Sequence, residues 1–203
     1  MQWIKAQDHL AKNDTKMQKL IHQFGDCTLK PAQDYFTFLA ESIVSQQLSV
    51  KAADTIWARV KNLVDGQSTP QKFIDLDADK MREAGVSRSK SQYIKNIAQC
   101  WLDNILDDEK VLALNDDTLV KLLLEIKGVG PWTVDMFFIF ALNRPNVLPL
   151  GDLGIRNAIC ALYGLDKTAK MDDFRKVAEG WHPWCSVASW YLWKSLNNVP
   201  TTQ

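Results

Sequence analysis

Apolar positions along the chain recur every three or four residues in almost every segment, and the strict alternation of a half-buried strand does not occur. The pattern predicts an all-α protein. Asp14 is placed to cap a helix whose Met17, Leu20, Ile21 and Phe24 share a face, with Gly25 closing it. A second helix starts at Asp34, buries Phe38, Leu39 and Ile43, and breaks at Gln46-Gln47-Leu48. Ser49 caps the next, in which Ala53, Ile56, Trp57 and Val60 form a stripe before Gly66. Short helices are expected after Thr69-Pro70 and from Asp77 to Gly85, and a longer one carries Tyr93, Ile97, Cys100 and Trp101.

The next stretch is the most distinctive. Asn115 caps a helix that turns Leu119, Leu122, Leu123 and Ile126 inward, and Lys127-Gly128-Val129-Gly130-Pro131-Trp132-Thr133 follows as a tight turn. The helix from Trp132 to Leu142 is apolar on nearly all sides, which predicts a central, buried position. A Pro-bounded loop then leads to Asp152, which opens a helix ending at Gly164; Asp172 opens another ending at Gly180, and Pro183 begins the last, with Trp184, Trp190, Tyr191 and Trp193. Repeats, low-complexity tracts and Ser/Gly linkers are absent, so no detachable domain is expected.

The turn has a physical reading of its own. Gly128 and Gly130 lack Cβ, so the chain is free to take positive φ and a phosphate can come close to the main chain. Pro131 suits the first turn of the following helix, where its missing N–H would have had no intrahelical partner. The amides of Gly130, Trp132 and Thr133, at the positive end of that helix, suit an anion. A Gly-x-Gly before a helix also serves as a plain αα-corner.

Charge neither supports nor opposes a nucleic-acid partner. Lys and Arg balance Asp and Glu at 24 each, so any grip on DNA must be local. Basic residues prevail between Lys51 and Lys95, whereas Asp103 to Asp117 is strongly acidic. Cys27, Cys100, Cys160 and Cys185 form no Cys-x-x-Cys pair, which argues against zinc or an iron–sulfur cluster. His9, His22 and His182 show no ligand spacing. The longest apolar run, Met136 to Leu142, is far short of the roughly 18 residues of a membrane span. With no signal-peptide pattern, a soluble intracellular protein is expected: cytoplasmic or nucleoid-associated in a bacterium, nuclear in a eukaryote.

The hairpin resembles the helix-hairpin-helix of the DNA glycosylase superfamily, where a Gly/Pro-containing loop and an essential Asp follow; here these are 143–151 and Asp152. Ile43-Val44-Ser45-Gln46-Gln47-Leu48-Ser49 and the tail from Pro183-Trp184-Cys185-Ser186 through Trp193 match the 3-methyladenine DNA glycosylase II branch. The resemblance covers roughly 34–196. It implies a two-lobed helical bundle with a DNA-binding cleft between the lobes. Lobe A would be about 1–33 plus 144–203, and lobe B about 34–143 with the hairpin at 115–142.

The resemblance also implies roles. Asp152 would be the catalytic carboxylate, although an Asp at a helix start is commonly only an N-cap. Trp132, Met136 and Trp193 would line the base pocket, Met136 standing where the family often has an aromatic residue; for both tryptophans ordinary burial is the alternative. Gln47 would fill the space left by a flipped base, helped by Leu48. Gln46, Ser49, Gly128, Gly130, Trp132 and Thr133 complete the DNA-binding set, with a polar helix end as the alternative at Gln46-Gln47. Ser49 and Cys185 stand where some relatives carry His and Arg.

Trp132 occupies the position of the Schiff-base Lys of glycosylase/lyases, and Lys127 lies on the other side of the turn. The implied protein is a monomeric, monofunctional glycosylase acting on alkylated purines in double-stranded DNA. It would need no metal or cofactor beyond a monovalent cation that the hairpin turn would accommodate. The competing readings are a non-catalytic DNA-binding module and a glycosylase/lyase for oxidised bases.

Overall fold

A computed structural model of the chain describes residues 2–196. They are helical, with no strand among them. The chain divides into two compact units, Met1–Pro31 with Phe138–Gln203, and Ala32–Phe137.

The first unit is built on α1 (Ile4–Asn13) and α2 (Thr15–Phe24). Asp14 caps α2, its Oδ1 accepting from the amides of Lys16 and Met17, and Gly25 at φ 70° closes it. The sequence pattern did not predict α1. Its apolar stripe is thin, with only Ala6 and Leu10 buried beside Gln7, and Trp3 at its start makes no side-chain cap.

The second unit runs from α3 (Tyr35–Ser45) and α4 (Val50–Leu63) through the short α5 (Pro70–Asp75) and α6 (Ala78–Glu83) to the long α7 (Arg88–Leu102). It continues with α8 (Asp108–Ala113), α9 (Asp116–Glu125) and α10 (Pro131–Met136). Asp34, Ser49, Thr69, Asp77, Ser87 and Asn115 cap their helices by accepting first-turn amides. α8 was not predicted either, because Val111 is its one buried residue and its acidic surroundings read as a solvated face.

The helix expected from Trp132 to Leu142 proves to be two kinds of helix in series. After α10 the chain widens into a π-helical stretch, Phe137–Ala141, all of it buried. The unit boundary falls at its first residue.

Back in the first unit, α11 (Leu153–Tyr163), α12 (Met171–Ala178), a 3₁₀ turn (Glu179–Trp181) and α13 (Cys185–Ser195) complete the chain. α12 starts at Met171, after Lys170, whose amide donates to Asp173, and not at Asp172; α13 starts after Trp184, two residues later than Pro183 suggested. Every side chain of α13 from Cys185 to Trp193 is buried. α13 is thus the spine of this unit, packing on α1, α2 and α11.

Asp14 also ties distant parts of this unit together. Its Oδ2 accepts from Tyr163 Oη at 2.6 Å and from Trp181 Nε1 at 2.9 Å. Burial alone would raise the Asp14 pKa, but the bonds from Trp181, Tyr163 and the two amides outweigh it and hold it below the usual value. A depressed carboxylate pKa stabilises the fold above the unfolded value and loses that contribution as pH falls. Asp14→Ala is therefore expected to lower the unfolding free energy by about 3 kcal/mol at neutral pH, from a lost cap and two unsatisfied donors. Urea titrations should show the difference shrinking below about pH 4, as the wild-type acid protonates.

Candidate active site

Asp152 caps α11, and its Oδ1 accepts two N–H bonds at once, from the Ile155 amide at 2.9 Å and from Trp193 Nε1 at 3.1 Å. With one oxygen held by donors from two elements, the plane and direction of the carboxylate are set. Phe140 lies tilted on the Trp193 ring at 5.3 Å and fixes the indole from its other surroundings. Gly154 completes this arrangement: a Cβ there would lie 3.0 Å from Asp152 Oδ1 and 3.7 Å from the Trp193 ring. Leu153 between them is 62% exposed.

The loop that delivers Asp152 is pinned to the start of α13. Ser186 Oγ donates to Arg144 O at 2.6 Å and accepts from the Val147 amide at 2.9 Å, while its own amide donates to Pro145 O. The His182 Nδ1 and Asn146 Oδ1 atoms are 2.9 Å apart, the Arg144 amide reaches Phe138 O, and Arg156 donates to Leu150 O at 2.6 Å. The Asp152 amide closes a turn onto Pro149 O. Of these residues the sequence pointed only to Asp152 and Trp193. Ser186 stood inside a quoted motif, and Gly154 two residues after the acid was a visible signal; Arg156 gave none.

In the second unit the hairpin turn separates the roles of its two glycines. Gly128 has φ 109°, and a Cβ on it would fall 2.2 Å from the Tyr93 ring, so glycine is required by backbone and neighbour alike. Gly130, by contrast, is extended at φ −107°, and a Cβ on it would meet nothing within 4 Å, so positive φ is not its reason. It is the N-cap of α10 and makes no side-chain cap. Thr133 is buried, its Oγ1 accepting from Gln46 Nε2, which also donates to Gly128 O, both at 3.0 Å. The turn carbonyls of Ile126, Lys127 and Gly128 each accept a bond from within the protein. A monovalent cation there would share those oxygens.

Gln46 thus turns its amide nitrogen inward, onto the hairpin, whereas Gln47 is exposed at φ 60° and Leu48 is 40% exposed. Ser49 accepts from the Ala52 amide as the cap of α4. Trp132 is half-buried, but Met136 is 4% and Trp193 only 3% exposed, as enclosed as the core Trp57 and Trp190. Among the described residues, no group of His, Cys, Asp or Glu is placed to hold a metal ion, and no helix is long and apolar enough to cross a membrane.

A family model described as the HhH-GPD superfamily base excision DNA repair protein matches residues 40–183, from the middle of α3 to the threshold of α13. The chain belongs to that superfamily. This HhH-GPD protein is 34% identical over 197 residues to DNA-3-methyladenine glycosylase 1 of Schizosaccharomyces pombe, covering 94% of this chain and 86% of the relative. The solved structure of the S. pombe 3-methyladenine DNA glycosylase Mag1 in complex with abasic DNA superposes with a TM-score of 0.87, covering 98% of this chain and all of that one. A Bacillus halodurans DNA-3-methyladenine glycosidase, 33% identical, gives 0.76 over 92% of this chain and 86% of its own.

Gly154→Ala separates fit at the acid from stability. The helix-propensity gain of Ala over Gly, about 1 kcal/mol, and the weakening of the Asp152 cap are of similar size and opposite sign, so the thermal midpoint should change little. Under the role proposed below for Asp152, the methyl pressing on its carboxylate should lower base release about tenfold in a single-turnover assay.

Proposed function

We propose that the protein is a monofunctional DNA glycosylase that hydrolyses the N-glycosidic bond of alkylated purines, such as 3-methyladenine and 7-methylguanine, flipped out of duplex DNA. The observation that carries this reading is the Asp152 carboxylate, held at the start of α11 by the Ile155 amide and the Trp193 indole. The names and close superposition of the S. pombe and Bacillus relatives support it.

Breaking the glycosidic bond develops positive charge on the deoxyribose. A fixed carboxylate beside C1′ stabilises that charge and orients the attacking water, without reorganising as the bond stretches. No second acid is needed when the leaving base is already a cation, which is why alkylated purines suit a site with one carboxylate. At position 132 an indole stands in place of an amine, so water is the nucleophile and the product is an abasic site with the strand intact.

The remaining roles follow from chemistry and placement. The main-chain amides of the Gly130–Thr133 turn face a backbone phosphate, which makes the neutral overall charge no obstacle. Gln47, exposed beside Leu48, fills the space vacated by the base. Half-buried Trp132 offers a π face to a cationic base, at about 0.5–2 kcal/mol. Trp193, whose N–H is committed to Asp152, orients the acid. The protein acts as a monomer on double-stranded DNA.

Incubation with methylated duplex DNA should release 3-methyladenine and 7-methylguanine, identified by chromatography. Asp152→Asn should lower release at least about 100-fold, the scale of losing one electrostatic stabiliser, with DNA affinity retained. Equal release by the variant would point to a binding module with Asp152 as a mere cap. Borohydride during turnover should trap no protein–DNA adduct; a trapped adduct would assign the chain to the lyases.

A further inference from the structure

The exposed Gln47–Leu48 segment is held by a residue that the reaction does not otherwise involve. Helix α3 ends at Ser45 without a glycine; Gln46 is extended at φ −50° and ψ 127°, and Gln47 takes φ 60°. A non-glycine residue at positive φ persists when its surroundings over-determine it. Here Lys90 does so. Its Nζ donates to Val44 O at 2.8 Å and to Gln46 O at 2.7 Å, so one ammonium from α7 satisfies two carbonyls at the negative end of α3.

The same face of α7 holds the hairpin. Tyr93, one turn after Lys90, packs its ring against Gly128, and Asn96, one turn further, donates to Lys127 O at 3.0 Å. Gln46 closes the circuit, since its backbone carbonyl is held by Lys90 and its side-chain amide binds Gly128 O and Thr133 Oγ1. The segment and the turn are therefore fixed in register to each other through one helix face.

We propose that Lys90 is a positioning residue for base flipping, holding Gln47 and Leu48 ready for insertion and in register with the phosphate-gripping turn. This rests on the reading of Gln47 as the residue that replaces the flipped base. A wedge preformed in the free protein needs no ordering when DNA arrives, so losing Lys90 should slow flipping and insertion while leaving the reacting groups in the first unit as they are.

The test uses a duplex with one 7-methylguanine and a neighbouring 2-aminopurine, whose fluorescence rises as the stack opens. Lys90→Met, which keeps the stem and removes the donors, should lower single-turnover release and the fluorescence step about tenfold, and Lys90→Arg should restore both to within about threefold. In a Gln47→Ala background Lys90→Met should cost less than about twofold, because both changes disable the same wedge. An equal factor in both backgrounds would overturn the proposal. Should Lys90→Met not fold, Lys90→Gln takes its place in the same cycle.

If the wild-type protein releases no methylated base, the glycosylase reading fails by itself, and hydrogen exchange on the free protein decides the role of Lys90. Amides 47–49 and 128–130 should then exchange at least about tenfold faster in the variant, with those of α11 and α13 unchanged. Unaltered exchange at 47–49 would sink the proposal.

Discussion

The chemistry proposed for this protein depends on one carboxylate oxygen that accepts two N–H groups. Asp152 Oδ1 meets the Ile155 amide of its own helix and the Trp193 indole of another. The first bond alone is an ordinary helix cap, which would leave the carboxylate free to rotate into other capping geometries. The second removes that freedom, and Gly154 leaves the space in which both bonds can be made. Capping and the catalytic role we propose are therefore not rival descriptions of Asp152, since the cap is half of what aims it.

Precision at the acid requires that the loop before it be held as well. Ser186 does this from the start of α13, taking up the Arg144 carbonyl and the Val147 amide, while Arg156 secures Leu150 O from within α11. Because α13 is buried along its length, the loop inherits the rigidity of the best-packed helix in its unit. A site built on loops gains definition when each loop carbonyl near the reacting group has a donor from a fixed element.

The second unit solves a different problem. The chain has no excess of positive charge, so in the reading proposed here main-chain dipoles and one shaped turn take the place of a basic surface. Gly128 shows how tightly that turn is specified, since a single added carbon would overlap Tyr93. Lys90 shows a cation used inward: burial pushes its pKa below the usual lysine value, and two of its donors go to carbonyls of the α3 terminus.

Local signals made much of this legible. The caps at Asp14, Asp34, Ser49, Asn115 and Asp152, the hairpin turn and the all-helical class follow from spacing and residue type, because caps and apolar periodicity act within a few residues. α1 and α8 left no such signal because each buries too little of its own surface to form a stripe. The π-helical turn left none because an all-apolar run carries no period from which to read its pitch. That the Trp193 indole also holds Asp152, why Gly128 must be glycine, and what Lys90 and Ser186 bind were decided by tertiary structure alone. Each of these contacts joins residues about 35 to 46 positions apart, or lies across two helices, and no local pattern encodes a hydrogen bond that exists only after those helices have packed.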